Sequence, residues 1–281
     1  MSDEREAALR TADRAWRLLE ELAERAPGAV RLTPGAGERE IDGWGVPLPP
    51  EARRLVGRVR AVRIGGREEY RFAPEGGLAA GDWAVGPPGS AHLLHEAGQD
   101  TLFVDVDTVT GAWGRVFAAT GVFQETWAYV APSLVSWVTA LASAGLAALE
   151  RTGAQGTDGR GPSDDAGVLE RLAEASHVVS YRPDLRGTPA VDARPGADPE
   201  LADVLAGLPD QAPVVDLREV AAPVTLHLPC PPGLPGDWVE FQRRNGGRFA
   251  VGMPRSGQTS RSTTTGAWSE APLPLRSSRS T

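Results

Sequence analysis

The sequence predicts a fold that combines helices with strands, and two observations support that prediction. Apolar residues recur every three or four positions through residues 3–26, which is the periodicity of an amphipathic helix. In residues 101–120 the period changes to two, as in a strand hairpin whose connection contains Gly111 and Gly114. Because such a hairpin leaves an apolar face open, a helix or another strand is expected to cover it.

Three helices are expected before the first strand. The first ends at Pro27, the second begins near Thr33, and the third opens at Pro49, since proline is tolerated in the first turn of a helix. The pattern then changes to period two. Gly65 marks a hairpin turn before a return strand at 69–72.

An uncharged stretch at 126–149 has two interpretations, a membrane-spanning helix or a strand followed by a buried helix. Pro132 interrupts the stretch and leaves 17 residues up to Leu149, which is short for crossing a bilayer. We therefore favour a strand at 127–130 and a helix that Ser133 can cap.

Composition divides the chain into four parts. Residues 1–152 hold the elements above, and residues 153–166 form a Gly-rich polar linker. Residues 167–253 are expected to be either a small α/β domain or an extension that packs on the first part. Residues 254–281 contain 12 Ser or Thr, which leaves too little apolar area to offset the entropy of ordering, so this Arg-containing tail is expected to be disordered.

Within residues 167–253, three local signals indicate structure. Apolar spacing at 199–207 predicts a helix, and an alternating pattern at 224–228 predicts a strand. The clearest signal is a hairpin over 238–253, whose Asn-Gly-Gly turn begins at Asn245.

The chain is acidic, and its charge is unevenly distributed. The net charge is −8, and all 29 basic residues are Arg; residues 1–150 and 151–219 carry −6 each, whereas residues 220–281 carry +4. An acidic folded region disfavours nucleic acid as the main partner, because neutralising phosphates requires clustered cations. The same charge suits a basic protein partner.

Cysteine content and the N-terminus bear on the compartment. The single cysteine, Cys230, excludes an intrachain disulfide and a multi-cysteine metal site, which favours a reducing compartment. The first ten residues lack the basic and apolar regions of a signal peptide. We therefore expect a cytoplasmic protein.

Two pairs of ionisable residues could carry chemistry. His92 and His95 are either metal ligands or, as we favour, a partly exposed pair whose side chains point to opposite faces of a strand. Asp105 and Asp107 lie on one face of a strand, where they could be a catalytic pair or a cation site. We favour a solvated outer face, since carboxylates are seldom buried unpaired, and such a face could also contact a basic partner.

The sequence predicts a buried position for two tryptophans and leaves the position of a third open. Trp16 and Trp137 have helical spacing with other apolar residues and are expected in the core. Trp113, between two glycines at a turn, is either an exposed partner anchor or a lid on the core. The sequence contains neither a nucleophile elbow nor a phosphate loop, so it gives no positive indication of an enzyme.

Four motifs in this order give the chain a resemblance to the SUKH superfamily, the domain of the Smi/Knr-type fungal cell-wall synthesis regulators. They are an amphipathic helix with a central tryptophan, a Leu-Pro-Pro helix start, a hairpin with a Gly-x-Trp-Gly connection, and a strand that runs into a Ser-capped helix. The residues are Trp16; Leu48-Pro49-Pro50; Phe103-Val104-Asp105 with Gly111, Trp113, Gly114 and Val116; and Val130 to Leu134 with Trp137. The resemblance covers about half of the chain and ends at residue 152. The segment at 42–70 departs from the family's pattern, since it has Asp42-Gly43-Trp44 and lacks the Asn-Gly turn.

The resemblance implies an α+β fold, a mostly antiparallel sheet with packed helices, and it implies no catalytic centre and no cofactor. Bacterial members look like intracellular immunity proteins that bind and neutralise a toxin, often a nuclease. Fungal members are regulatory scaffolds.

The expected function is therefore non-enzymatic protein binding, with toxin immunity as the leading hypothesis and a regulatory scaffold as the alternative. An alternative from another class is a hydrolase or metal-dependent enzyme. The partner is expected to be a protein, with a basic toxin domain as the specific version, and neither nucleic acid nor a membrane. The predicted contact residues are Asp105, Asp107, Trp113, Glu68 and Glu69, and the enzyme alternative would use His92, His95 and Asp105.

Overall fold

The computed structural model describes nine segments of the chain: residues 2–45, 47–65, 68–73, 90–97, 100–107, 110–120, 126–155, 184–229 and 239–254. The predicted linker overlaps a helix through its first three residues, and its remainder lies outside the described residues. Cys230 and the predicted tail from residue 255 also lie outside them.

The described residues form six helices and thirteen strands. The helices are α1 (Ser2–Arg25), α2 (Glu38–Gly43), α3 (Pro50–Val56), α4 (Leu134–Gln155), α5 (Ala190–Ala193) and α6 (Pro199–Ala206). The strands up to α4 are β1 (Val30–Pro34), β2 (Val59–Ile64), β3 (Glu68–Arg71), β4 (Ala91–Ala97), β5 (Asp100–Val106), β6 (Trp113–Thr120) and β7 (Thr126–Ala131). The later strands are β8 (Asp184–Arg186), β9 (Thr188–Pro189), β10 (Pro213–Asp216), β11 (Val224–His227), β12 (Val239–Arg244) and β13 (Phe249–Pro254).

The N-terminal sheet consists of β1, β2 and β3 and is antiparallel. Its first strand corrects one prediction, because Thr33 and Pro34 belong to β1 and do not begin a helix. Thr33 pairs with Ala61, and this long-range pairing satisfies backbone groups that the local Thr-Pro signal cannot reveal. The second helix begins later, at Glu38.

The central sheet has six strands in the order β4-β5-β6-β7-β11-β8, and all its pairings are antiparallel except β11 with β8. Helices α1 and α4 pack together, α4 contacts β6 and β7 of the central sheet, and Leu102, Val104 and Val106 of β5 belong to the same apolar core as the two helices. These three residues form the apolar face of the predicted hairpin. The α+β fold with a mostly antiparallel sheet is confirmed.

The covering sheet consists of β12, β13, β10 and β9 and lies over the opposite face of the central sheet. Between the two sheets, Phe103 and Phe117 of the central sheet contact Phe241 and Ala250 of the covering sheet in a second apolar core. Strands β8 and β11 join the central sheet itself. The described part of the chain after residue 183 is therefore an extension of the first fold.

Candidate partner-binding surface

Asp105 is buried, so the prediction that it lies on a solvated face is wrong. Its carboxylate accepts a hydrogen bond from Arg243 of β12, with 2.5 Å between Asp105 Oδ1 and Arg243 Nε. The two side chains are only 5% and 3% exposed. Burial raises the pKa of Asp105 above its ordinary value, and the charge of Arg243 opposes that rise.

The guanidinium of Arg243 is surrounded by polar and aromatic groups. Its Nη2 is 3.3 Å from Ser90 Oγ and 3.4 Å from the Ser90 carbonyl oxygen. Its central carbon lies 4.7 Å from the ring centre of Phe103 and 5.9 Å from that of Phe241. The ion pair therefore joins the covering sheet to β5, and Asp105 is not available to a partner while the two sheets are packed.

Asp107 holds the turn after β5. The Thr110 backbone N–H donates to Asp107 Oδ1 at 2.8 Å, and the Gly111 N–H donates to the Asp107 carbonyl at 2.7 Å. Gly111 has φ of +71°, and a Cβ there would lie 2.8 Å from Pro47 Cγ, so glycine is required on both counts. Asp107 as a whole residue is half-buried.

Trp113 is a core residue and not an exposed partner anchor, since it is only 8% exposed. Its ring stacks on His92 with 4.7 Å between ring centres. Among the described residues its indole Nε1 has no hydrogen-bond acceptor. Of the two predicted core tryptophans, Trp137 is buried and Trp16 is half-buried against the same core.

His92 and His95 lie on the same face of the central sheet, and both are buried, so the prediction of a partly exposed pair on opposite faces is wrong. The register of β4 explains this, because Leu93 pairs with Phe103 and His95 pairs with Leu102, which leaves Leu94 as an extra residue in a bulge. The extra residue turns His95 to the side that His92 already faces.

Both histidines donate to backbone carbonyls of β3. His92 Nε2 is 3.2 Å from the Arg71 carbonyl oxygen, and His95 Nδ1 is 3.0 Å from that of Glu69. Burial lowers the pKa of His92 to about 4, so the ring is neutral near pH 7. The two side chains thus fasten β3 to the edge of the central sheet.

The residues of the enzyme alternative are not brought together. Asp105 pairs across the strands with Ala91, which belongs to the core under the covering sheet. His92 pairs with Val104, which faces helices α1 and α4. The carboxylate of Asp105 and the two imidazoles therefore lie on opposite faces of one sheet. Within the described ranges, no group of three or more His, Cys, Asp or Glu side chains is arranged to hold a metal ion.

Glu69 remains at the surface but is already paired. Its carboxylate lies 3.1 Å from Arg63 and 4.0 Å from Arg71, and its side chain is about a third exposed. Glu68 belongs to the same strand, and its side chain lies outside the described residues.

The sequence prediction misses Arg243, and it identifies Gly114 only as part of the Gly-x-Trp-Gly connection. A Cβ at Gly114 would lie 2.1 Å from the carbonyl oxygen of Gly246, where the β12–β13 turn meets β6. The Arg115 N–H donates to that same carbonyl at 3.3 Å. Arg243 is followed by Arg244 in the predicted hairpin, and nothing in that local sequence indicates which of the two arginines is buried or that it meets Asp105.

Comparison with known proteins finds no family model that matches the chain, no similar curated protein and no similar solved structure. The resemblance to the SUKH superfamily therefore rests on the four motifs alone. In the part of the chain that the structure covers, no helix is both long and apolar enough to cross a bilayer. The uncharged stretch at 126–149 instead forms β7 and most of α4, as predicted.

Proposed function

We propose that the chain is a non-enzymatic, cytoplasmic protein-binding protein of the SUKH type, and that its specific role is immunity to a toxin. One observation carries the proposal. The four motifs, which are separated in sequence, contribute to one core: the Trp16 helix and the Ser133-capped helix lie side by side, and both share that core with the hairpin that contains Trp113. Agreement between motif order and packing supports a shared domain type.

The candidate catalytic groups have structural partners, which supports binding over chemistry. Asp105 is held by Arg243, and His92 is held by the Arg71 carbonyl and the ring of Trp113. Each of these groups contributes to sheet packing on its own face of the central sheet. Stoichiometric zinc in purified protein, together with hydrolytic activity, would contradict this proposal.

The proposed partner surface does not include the outer face of the central sheet, because the covering sheet occupies that face. Asp107 and Glu69 remain as partly exposed acidic candidates from the predicted set. Contacts there would speed association with a basic partner, and that gain would fall as salt screens the charges.

Co-expression with a secreted toxin encoded beside the gene tests the proposal. The expected result is restored growth and a stable complex of the two proteins, whereas a chain that neither binds nor protects would overturn the immunity role. A complex with a host regulatory protein instead of a toxin would favour the scaffold alternative.

Charge-neutral variants then locate the surface. Asp107→Asn and Glu69→Gln keep the shape of each side chain and one of its two acceptor oxygens, and we expect about a two- to fivefold slower association at low salt. Asp203→Asn removes the same charge from the exposed side of α6 and serves as the matched control. Equal association rates for all three variants and the unaltered chain would exclude the Asp107 and Glu69 surface.

A further inference from the structure

A groove between α1 and the end of α3 combines an aromatic ring with several arginines. Its volume is about 420 Å³, and it is lined by Arg10, Asp13, Trp16, Arg17, Arg54 and Arg58. Arg10, Asp13 and Arg17 follow one another at intervals of three and four positions, and Trp16 is adjacent to Arg17, so the four residues share one side of α1. Four arginines and one aspartate give this groove a positive charge in a chain whose net charge is −8.

Two of the four guanidinium groups already have acidic partners. Arg54 Nε lies 2.9 Å from Asp13 Oδ1, and this contact lowers the pKa of Asp13. Arg10 pairs with Glu6 at 2.7 Å on the adjacent turn of α1. These pairs occupy two of the four guanidinium groups and leave Arg17 and Arg58 as the unpaired source of positive charge among the described residues.

Arg17 and Arg58 have no carboxylate within 4.0 Å among the described residues, and both are exposed. The Nε of Arg17 donates to the Asp13 carbonyl at 3.3 Å, which orients that side chain along the helix. Both residues line the same groove. Two carboxylates of a bound segment could therefore each accept from a guanidinium that has no ion-pair partner of its own.

Trp16 gives the groove an apolar surface between these arginines. Its side chain is half-buried and packs against the main core, so the ring is held in place while part of it remains accessible. Tryptophan and arginine are the residue types most enriched at the energetic centres of protein interfaces, because they combine large contact area with directional hydrogen bonds.

We propose that this groove docks an acidic segment of a partner protein, with carboxylates on Arg17 and Arg58 and an apolar side chain on Trp16. Charge complementarity selects this occupant, because a basic segment would be repelled by the four arginines. A nucleic acid would extend beyond the groove and meet a region, residues 1–150, that carries −6. The inference goes beyond the proposed immunity role, since it does not depend on a toxin.

Fluorescence anisotropy with the full chain and synthetic probes tests this site. The probe is a short labelled peptide in which glutamates flank a central Leu-Phe pair. One control peptide has lysines in place of the glutamates, and a second has alanines in place of Leu-Phe. Inorganic tripolyphosphate is the small polyanion competitor.

We expect saturable binding of the glutamate peptide and about tenfold weaker binding after the double substitution Arg17→Glu and Arg58→Glu. Arg5→Glu with Arg14→Glu reverses the same number of charges on exposed positions of α1 outside the groove and should preserve most of the affinity. The lysine peptide should not bind, and the alanine peptide should bind more weakly than the Leu-Phe peptide. Because all four substituted arginines are exposed, each variant is expected to fold, and circular dichroism checks this.

Three results would overturn the proposal. The first is no saturable binding of the glutamate peptide. The second is an equal loss of affinity in the two double variants, which would indicate only a general charge effect. The third is tripolyphosphate displacement together with equal affinity for the Leu-Phe and alanine peptides, which would indicate a site for small anions without an apolar contact to Trp16.

Discussion

The ion pair between Asp105 and Arg243 leads to the sharpest prediction about stability. Three variants define it: Asp105→Leu, Arg243→Met and the double variant. Each single substitution leaves one member of the pair buried without its counter-charge, whereas the double substitution replaces both charged groups by apolar side chains. The two residues are 138 positions apart, so the interaction is a tertiary one that reports on docking of the covering sheet.

The expected magnitudes follow from the burial of both side chains, which are 5% and 3% exposed. Removing one member of a buried pair typically costs about 3–5 kcal/mol of unfolding free energy, while replacing the whole pair by apolar groups is often neutral or stabilising. We therefore expect the unfolding free energy of the double variant to lie within about 1–2 kcal/mol of that of the unaltered chain. Its loss of stability should be much smaller than the sum of the two single losses.

The two single variants should differ in their response to pH. The Asp105→Leu variant has no titratable group at this position, so it should lack the decline in stability with rising pH that the raised pKa of Asp105 gives the unaltered chain. In Arg243→Met, burial raises the pKa of Asp105 without an opposing charge, so the folded state binds a proton more tightly than the unfolded state. Its loss of stability should therefore shrink as the pH falls and grow as the pH rises through the folded pKa.

Urea unfolding followed by tryptophan fluorescence measures all three variants, and the double-mutant cycle isolates the coupling. A loss below about 1 kcal/mol for Asp105→Leu, together with additive single effects, would refute the reasoning. The covering sheet would then be held by its apolar contacts alone, and Asp105 would again be a candidate for the surface.

Three further predictions concern single residues. The pKa of His92 is lowered to about 4 from an ordinary 6.5, so its contribution to stability should be complete above pH 6.5 and decline by up to about 3 kcal/mol as the pH falls to 4. The urea midpoint of the His92→Phe variant should therefore fall less steeply with decreasing pH than that of the unaltered chain. The same slope of urea midpoint against pH in both proteins would contradict a buried neutral His92. Gly114→Ala places a methyl group against the Gly246 carbonyl, so it should lower the unfolding free energy by about 1–3 kcal/mol and reduce the melting temperature. In the control variant Gly43→Ala the added Cβ has no atom within 4 Å, so its stability should be unchanged or slightly increased. Ser133→Ala removes the oxygen that accepts from the Ser136 N–H at 3.2 Å and should cost about 1 kcal/mol in urea unfolding, and no change would mean that the cap does not stabilise α4.

Local signals predicted much of the fold because the elements concerned are determined by neighbouring residues. The apolar spacing of α1, the cap at Ser133 and the turn at Asn245 were each readable within a few positions. At that turn Asn245 has φ of +53°, and the two following glycines are also positive, as the Asn-Gly-Gly signal indicates.

The site residues could not be predicted in the same way, because their surroundings come from distant parts of the chain. The sequence predicts a solvated face for Asp105, because nothing within its own strand shows that Arg243 will cover it. It predicts opposite faces for His92 and His95 from period two, which fails wherever a bulge inserts one residue. A single extra residue, Leu94, reverses the face of everything after it, and no local pattern indicates its position.

A partner that bound to the outer face of the central sheet would first have to remove the covering sheet. That step would expose large side chains that are now buried between the two sheets: Phe103, Phe117, Val215, Leu217 and Phe241. At about 1.5–3 kcal/mol each, their burial contributes on the order of 7–15 kcal/mol, in addition to the separation of the Asp105 ion pair. A micromolar complex supplies only about 8 kcal/mol. Partner binding is therefore more favourable on surfaces that are already open, and the groove beside Trp16 is one where charge and an apolar ring occur together.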